Sequence, residues 1–435
     1  MWKRLAVSCL LACCPLAAHA QATLVRAGRL IDPATGRAAA NQAILIEGER
    51  IVAVGGDVQA PAGASVIDLS DLTVLPGLVD SHTHLGLTYK DIPENNTYYL
   101  TYVMDSTPLR AMQAVSNGIQ VLNSGFTVIR DLGNNALYVD SAHRQAIDQG
   151  WLPGPTIINS GLIIGGKGGQ FWPTPEMAKQ HGIVYPEYLE ADTNDEIVKA
   201  VRENMLFGAR IIKICVDCKP WGYTVDEMKL FIAEAAKGGL KVAGHVQTPE
   251  GATRAIEAGL WSIEHGQALS EDHHKKMAAK GIFLASTDTP FTPYSGSKES
   301  FERIVAKLKS AHRNGVKITF STDMDYWKTG NPMTRGELTI NFLLTWKAAG
   351  IPNADILKAM TVTGYECAQL EKERGPLKPG FYADMIAVRG NPLEDVDALR
   401  DVRFVMKDGL VFKKDGVMTP EKFFNAGPVK GWRRR

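Results

Sequence analysis

One pattern constrains this chain more than any other. Across residues 77–376, short apolar runs rich in β-branched side chains alternate with amphipathic stretches of helical period. Strands are expected at Leu75–Val79, Phe126–Arg130, Thr156–Ser160, Ile211–Val216, Val242–His245, Ser262–His265, Ile282–Ser286 and Lys317–Ser321. Helices are expected at Leu109–Ser124, Asp195–Gly208, Val225–Lys237, Pro249–Ala258, Glu271–Ala279, Ser297–Asn314 and Arg335–Ala349. Such alternation implies an α/β fold in which helical crossovers link the strands of a parallel sheet. About eight repeats suit a closed (β/α)8 TIM-type barrel. The competing arrangement is a doubly wound open sheet. It would need a phosphate-binding glycine loop after the first strand, and Gly77-Leu-Val-Asp-Ser does not supply one.

The flanks have a different texture. Thr23–Arg26, Ala43–Ile46 and Ile51–Val54 are short β-rich runs separated by turns, and the same texture returns at Ala383–Val388, Phe404–Met406 and Leu410–Lys413. Residues 21–76 and 377–435 are therefore expected to build one small β-sandwich from both ends of the chain, around a barrel at 77–376.

Residues 1–20 read as a cleaved signal peptide. Lys3 and Arg4 precede an apolar stretch from Leu5 to Leu16, and Ala18-His19-Ala20 has the small-x-small form of a cleavage site. A mature chain beginning at Gln21 would be secreted or periplasmic. Leu10-Leu-Ala-Cys13 loosely resembles a lipid-attachment box, which leaves anchoring at Cys13 as the alternative. No later run is long and apolar enough to suggest a membrane span.

The chain carries 48 basic and 47 acidic residues. It therefore lacks the field that draws nucleic acid or an anionic membrane, and the short run Arg433–Arg435 reads as a solvated tail. Beyond the leader only Cys215, Cys218 and Cys367 remain, an odd number that cannot form a complete disulfide framework. Cys215-x-x-Cys218 has the spacing of a redox pair or of half a zinc ribbon. No second such pair completes a ribbon, and the plainer expectation is free cysteines on or just after a strand.

Chemistry gathers where the strands end. His82-Thr-His84 follows the first apolar strand, and residues two apart in extended chain point the same way. Lys213 sits inside the apolar run Ile211–Val216, where an unpaired ammonium is costly. It either snorkels, pairs with an acid such as Asp217, or stays neutral and captures carbon dioxide as a carbamate. His245 and His265 end the next two strands, and Asp323 ends the last. Taken singly, each has a plain explanation as a core histidine, a loop residue or a helix cap. In a parallel barrel, however, strand ends converge on one face. Four imidazoles, a lysine and a carboxylate together suit two divalent cations, which activate water and polarise a carbonyl. No Gly-x-Ser-x-Gly nucleophile elbow competes with this reading.

At these residues the sequence closely resembles the amidohydrolase superfamily. The likeness is carried by Pro76-Gly-Leu-Val-Asp-Ser-His-Thr-His84, Gly125-Phe-Thr-Val-Ile-Arg-Asp131, Ile212-Lys213, Gly244-His245, Glu264-His265-Gly266, Ser321-Thr-Asp323 and Gly375-Pro-Leu-Lys-Pro-Gly-Phe-Tyr-Ala-Asp384. Within the superfamily it looks like the two-metal Xaa-Pro-type dipeptidases and the carboxypeptidase-like and ochratoxin-type amidases. The resemblance implies that His82, His84 and Asp323 hold one metal and that His245 and His265 hold the other. Lys213, as its carbamate, bridges the two. Asp323 also moves the proton of the attacking water. Zinc is the expected ion. Tyr223 is expected to donate to the substrate carbonyl. Lys167 stands in a glycine-rich loop where such dipeptidases often carry histidine, and is a candidate partner for a substrate carboxylate.

The expected reaction is hydrolysis of an amide in a small molecule, a dipeptide or an N-acyl amino acid. Cyclic-amide, lactone or deaminase chemistry of imidazolonepropionase type is the enzymatic alternative, and a binding protein on an inactive barrel the non-enzymatic one. Relatives imply a homo-oligomer.

Overall fold

The computed structural model describes residues 22–91, 105–133, 135–178, 184–292, 296–324, 326–328 and 332–419. The expected signal peptide, Cys13, the terminal arginines and most of the loop after Tyr89 lie outside the described residues.

Two larger parallel sheets, beside a two-stranded one of Tyr89–Asp91 and Tyr326–Lys328, occupy the middle of the chain. Leu78–Thr83, Phe126–Asp131 and Thr156–Asn159 form one. The other runs Tyr188–Glu190, Ile163–Gly165, Ile212–Cys215, Val242–Val246, Ser262–His265, Phe283–Ala285, Lys317–Thr319. Backbone hydrogen bonds join them in two places. Arg210 N donates to Asn159 O at 2.7 Å, ahead of the strand Ile212–Cys215. On the far side Ser81 N reaches Phe320 O at 2.9 Å and Asp323 N reaches His82 O at 2.7 Å.

The helices between these strands start where local chemistry favours them. Thr193, Thr224 and Thr334 each cap the next helix, and a glutamate three residues on closes a capping box. Val225–Lys237 and Pro249–Ala258 have their expected limits. The expected helix Arg335–Ala349 is instead two short helices, Arg335–Ile340 and Leu343–Ala348. Helix Val139–Asp148 was not anticipated. Its side chains Asp140, Ser141, His143 and Arg144 are buried although polar, so no apolar stripe marks it in the sequence.

The outer strands of both termini lie in one eight-stranded mixed sheet. Ser65–Pro76 is its hinge, pairing in parallel with Thr23–Asp32 on one side and antiparallel with Met385–Val388 on the other. Side chains of Met385–Val388 alternate between faces, as a pleated strand requires. Met385 and Ala387 enter a local core with Val25, Ile44, Val74 and Phe404, while Ile386 and Val388 pack into the main core beneath the parallel strands. The sheet is thereby fixed to the body that carries the strand ends. Among the described residues no helix is long and apolar enough to cross a membrane.

Candidate metal centre

The polypeptide brings all six predicted ligands to one place. His82 and His84 lie on and just after Leu78–Thr83. Gly77 allows that strand to start, since a Cβ there would meet Thr127 Oγ1 at 2.0 Å. Lys213, His245 and His265 lie on three neighbouring strands of the larger sheet, and Asp323 follows the last.

The contacts are close. Asp323 Oδ1 is 2.9 Å from His84 Nε2 and 3.3 Å from His82 Nε2, and its Oδ2 is 3.4 Å from His265 Nδ1. Lys213 Nζ is 3.3 Å from His82 Nε2. The His245 and His265 rings meet edge-on with centroids 4.4 Å apart. A cavity of about 200 Å³ opens over the group, lined by His84, Gln170, Lys213, His245, His265 and Asp323 among others.

Tautomers can be assigned from the partners of the remote ring nitrogens. His82 Nδ1 faces Glu264 Oε2 at 2.8 Å and His84 Nδ1 faces the Gly133 carbonyl at 2.8 Å, so both Nδ1 atoms carry the proton. That leaves unprotonated Nε2 lone pairs on both rings aimed at the Asp323 carboxylate. The His82, His84 and Asp323 ligand atoms all lie within 4.8 Å of one another. The His84 Nε2 lone pair faces the part-buried Asp323 carboxylate, with the Lys213 amine beside His82 Nε2; a cation among these groups relieves the acceptor–acceptor contact, so this donor set fits a metal ion.

The electrostatics agree. Burial, reinforced by Lys213, pushes the His82 imidazole down to about 4, and the same two causes bring His245 to about 3. His265 is held well below the usual range by burial and by His245. Neutral imidazoles are the ligand form. Burial also pulls the Lys213 ammonium down to about 8, against the pull of Glu264 and Asp323. A far larger share of the amine is then neutral near pH 8 than for an exposed lysine.

Two of the candidate ligands have unusual backbone. His265 and Asp323 have φ of 65° and 55°, in the left-handed region that L-residues rarely visit. Both sit where a strand gives way to a loop, and the chain must bend sharply there to aim a side chain into the cavity.

The other two predicted residues lie elsewhere. Tyr223 is buried against Phe231, with ring centroids 4.9 Å apart, and its hydroxyl donates to Ala191 O at 2.8 Å. Lys167 is largely exposed and lies 3.2 Å from Glu190 Oε2. Both line an adjoining cavity of about 350 Å³, with Lys219 and Trp221. Cys215 belongs to both cavities, and it is joined to Cys218 in a disulfide rather than carrying a free thiol as expected.

Sequence reasoning undervalued several neighbours. Glu264 appeared only as a letter beside His265, yet it grips His82, and its other oxygen is paired with Arg130. Gln170 Nε2 lies 3.4 Å from the His245 ring nitrogens, and Thr287 Oγ1 lies 3.1 Å from His265 Nδ1. A glutamate next to a strand-end histidine was the available signal for the first. The glutamine and threonine arrive from loops and left none.

Residues 73–411 match the amidohydrolase family, and the chain belongs to it: it is a hydrolase acting on C–N bonds. Among individual proteins it is similar to the ochratoxinase of Aspergillus niger, at 28% identity over 92% of this chain and 88% of that one. It is also similar to an imidazolonepropionase of Alkaliphilus metalliredigens, at 27% identity over 79% and 82% of the two chains. Among solved structures, a Xaa-Pro dipeptidase with bound methionine in its active site superposes with a TM-score of 0.75 at 28% identity, covering 90% of this chain and 100% of the other.

Proposed function

We propose that this chain is an exported two-metal amidohydrolase that cleaves the amide bond of a dipeptide or an N-acyl amino acid bearing a free carboxylate. The observation that carries the reading is the meeting of four buried imidazoles, a buried lysine and Asp323 on and after neighbouring strands. Likeness to an ochratoxinase and to a dipeptidase that holds an amino acid supports the substrate class.

In this reading His82, His84 and Asp323 hold one cation, and His245 and His265 hold the other. The neutral amine of Lys213 would add to carbon dioxide with loss of a proton, and the resulting anionic carbamate would be a further ligand for the cations. Two zinc ions bound there would supply a polarised amide carbonyl and an acidified water. Asp323 would take a proton from the attacking water and return it to the leaving nitrogen, as a carboxylate at the cavity wall can. Glu264 and the Gly133 carbonyl keep His82 and His84 in the tautomer that offers Nε2. Lys167 attracts the substrate carboxylate by charge from the adjoining cavity. Tyr223 donates to the substrate only if its hydroxyl leaves Ala191 O.

Three further points belong to the proposal. The ten strands of the two central sheets include eight, from Leu78–Thr83 to Lys317–Thr319, that close as a (β/α)8 barrel spanning residues 77–376; the hydrogen bonds at Arg210, Ser81 and Asp323 support it. The terminal sheet curls over its own core as a sandwich of residues 21–76 and 377–435. Residues 1–20 direct export to the periplasm or medium, and the enzyme works as a homo-oligomer.

The imidazolonepropionase likeness favours a second reading, hydrolysis of a cyclic amide. Metal analysis combined with a panel of dipeptides, N-acyl amino acids and cyclic amides separates the two. Two metals per chain and turnover of acyclic amides support the first, and turnover of cyclic amides alone overturns it.

A further inference from the structure

Neither sulfur of the Cys215–Cys218 pair takes part in the hydrolysis proposed above, yet the pair borders the metal centre. Cys215 ends the strand Ile212–Cys215, two residues past Lys213, and is 3% exposed. Cys218 follows in the turn and is only half-buried. The strand register sets Cys215 directly opposite His245. The ligand atoms of Cys215, Cys218 and His245 all lie within 4.8 Å of one another. A tetrahedral site with zinc–sulfur bonds of about 2.3 Å needs the two sulfurs unbonded and further apart than in a disulfide, which reduction permits.

We propose that reduction of the Cys215–Cys218 disulfide creates a second cation site, formed by the two sulfurs and His245, which takes thiophilic d10 ions and competes with the hydrolytic centre for that imidazole. The chemistry balances with a dithiol as reductant. One of its thiolates attacks the accessible Cys218 sulfur, and Cys215 leaves as a thiolate. The second thiol of the reductant then closes on the first, releasing Cys218 and leaving the reductant as its own disulfide. Two electrons and two protons pass to the protein. A bound cation afterwards displaces both thiol protons, because only thiolates ligate. Soft sulfur donors favour cadmium and zinc over magnesium or calcium. While the disulfide is intact both sulfurs are occupied with each other, and His245 is left to the hydrolytic centre. The inference rests on the preceding functional reading only for the shared role of His245.

Differential alkylation of the purified chain, with mass mapping of the peptide carrying both cysteines, tests the first half. Two labels on that peptide after dithiothreitol and none before are expected. Labels before reduction would overturn it. Titration with cadmium ions alone, after the reductant has been removed, tests the second half. Near-ultraviolet thiolate-to-cadmium absorption should rise in the reduced chain, stay absent from the oxidised chain, and disappear in Cys215→Ser/Cys218→Ser. Should that double variant fail to fold, Cys218→Ser alone leaves the buried position intact and should weaken the absorption at least tenfold. A reduced chain without the band overturns the site. Both readouts are independent of turnover, so a failed hydrolase assignment would leave them standing.

Discussion

Glu264 Oε2 lies 2.8 Å from Nδ1 of His82, and both side chains are wholly buried. The other Glu264 oxygen is held by Arg130, whose guanidinium also reaches the Ser81 carbonyl at 2.6 Å. A carboxylate that orients a ligating imidazole typically contributes 10- to 100-fold in metal affinity or activity. Glu264→Gln keeps the shape but offers a weaker acceptor. A fall of about 10- to 100-fold in kcat/KM, with weaker metal retention on dialysis, is expected. Unchanged metal content and activity would show the pair to be structural only.

Lys213→Ala removes the only amine in contact with His82 among the described residues. Elemental analysis should then give fewer than two metals per chain. The loss of several kcal/mol of electrostatic activation corresponds to about 100-fold or more in kcat. If Lys213→Ala binds two metals and turns over normally, the bridging role is lost.

For Asp323→Asn, a fall in kcat of about 10²- to 10⁴-fold is expected if the carboxylate moves the proton. Single-turnover kinetics with metal-loaded protein would place the defect in the chemical step. A change confined to KM would contradict that role.

His143 offers a pH test remote from the centre. Its side chain is buried between Gly118 and Gly154, and burial pushes the imidazole down to about 4 from an ordinary value near 6.5. The unfolded chain therefore binds a proton here between pH 6.5 and 4 that the folded chain does not. This contribution to stability is complete above pH 6.5 and falls away as the pH drops towards 4. Denaturant melts at several pH values should show up to a few kcal/mol of such loss, since each tenfold change in proton affinity is worth about 1.4 kcal/mol. His143→Leu should flatten that part of the profile, and an unchanged slope would refute the assignment.

Phe126 is wholly buried, and its ring lies stacked near Phe320 with centroids 5.8 Å apart. Phe126→Ala should cost about 3–5 kcal/mol in urea unfolding. A cost under about 1 kcal/mol would mean that this core closes up around the lost ring.

The sequence made some of this legible and concealed the rest, for physical reasons. Strand ends were legible because an apolar run stopping at a histidine or aspartate is abrupt, and parallel topology forces such ends together. Helices Val225–Lys237 and Pro249–Ala258 were legible from their helical period. Helix Val139–Asp148 was hidden because its buried face is polar and satisfied by tertiary hydrogen bonds, such as Arg144 Nε to Asn159 Oδ1 at 2.9 Å. The Tyr223 hydroxyl could not be placed from position alone. Its partner, Ala191 O, lies 32 residues away and follows the strand Tyr188–Glu190, which carried no periodic signal. The cysteines misled because an odd count speaks only to a complete framework, and a single bond between residues three apart escapes it.

The backbone at His265 and Asp323 sets folding against purpose in this chain. Holding each in a left-handed conformation costs on the order of 1 kcal/mol that glycine would not incur. Glycine would adopt either φ freely but would supply neither the imidazole nor the carboxylate. The strained backbone at His265 and Asp323 is thus a local cost to the fold, placed where both side chains line the cavity.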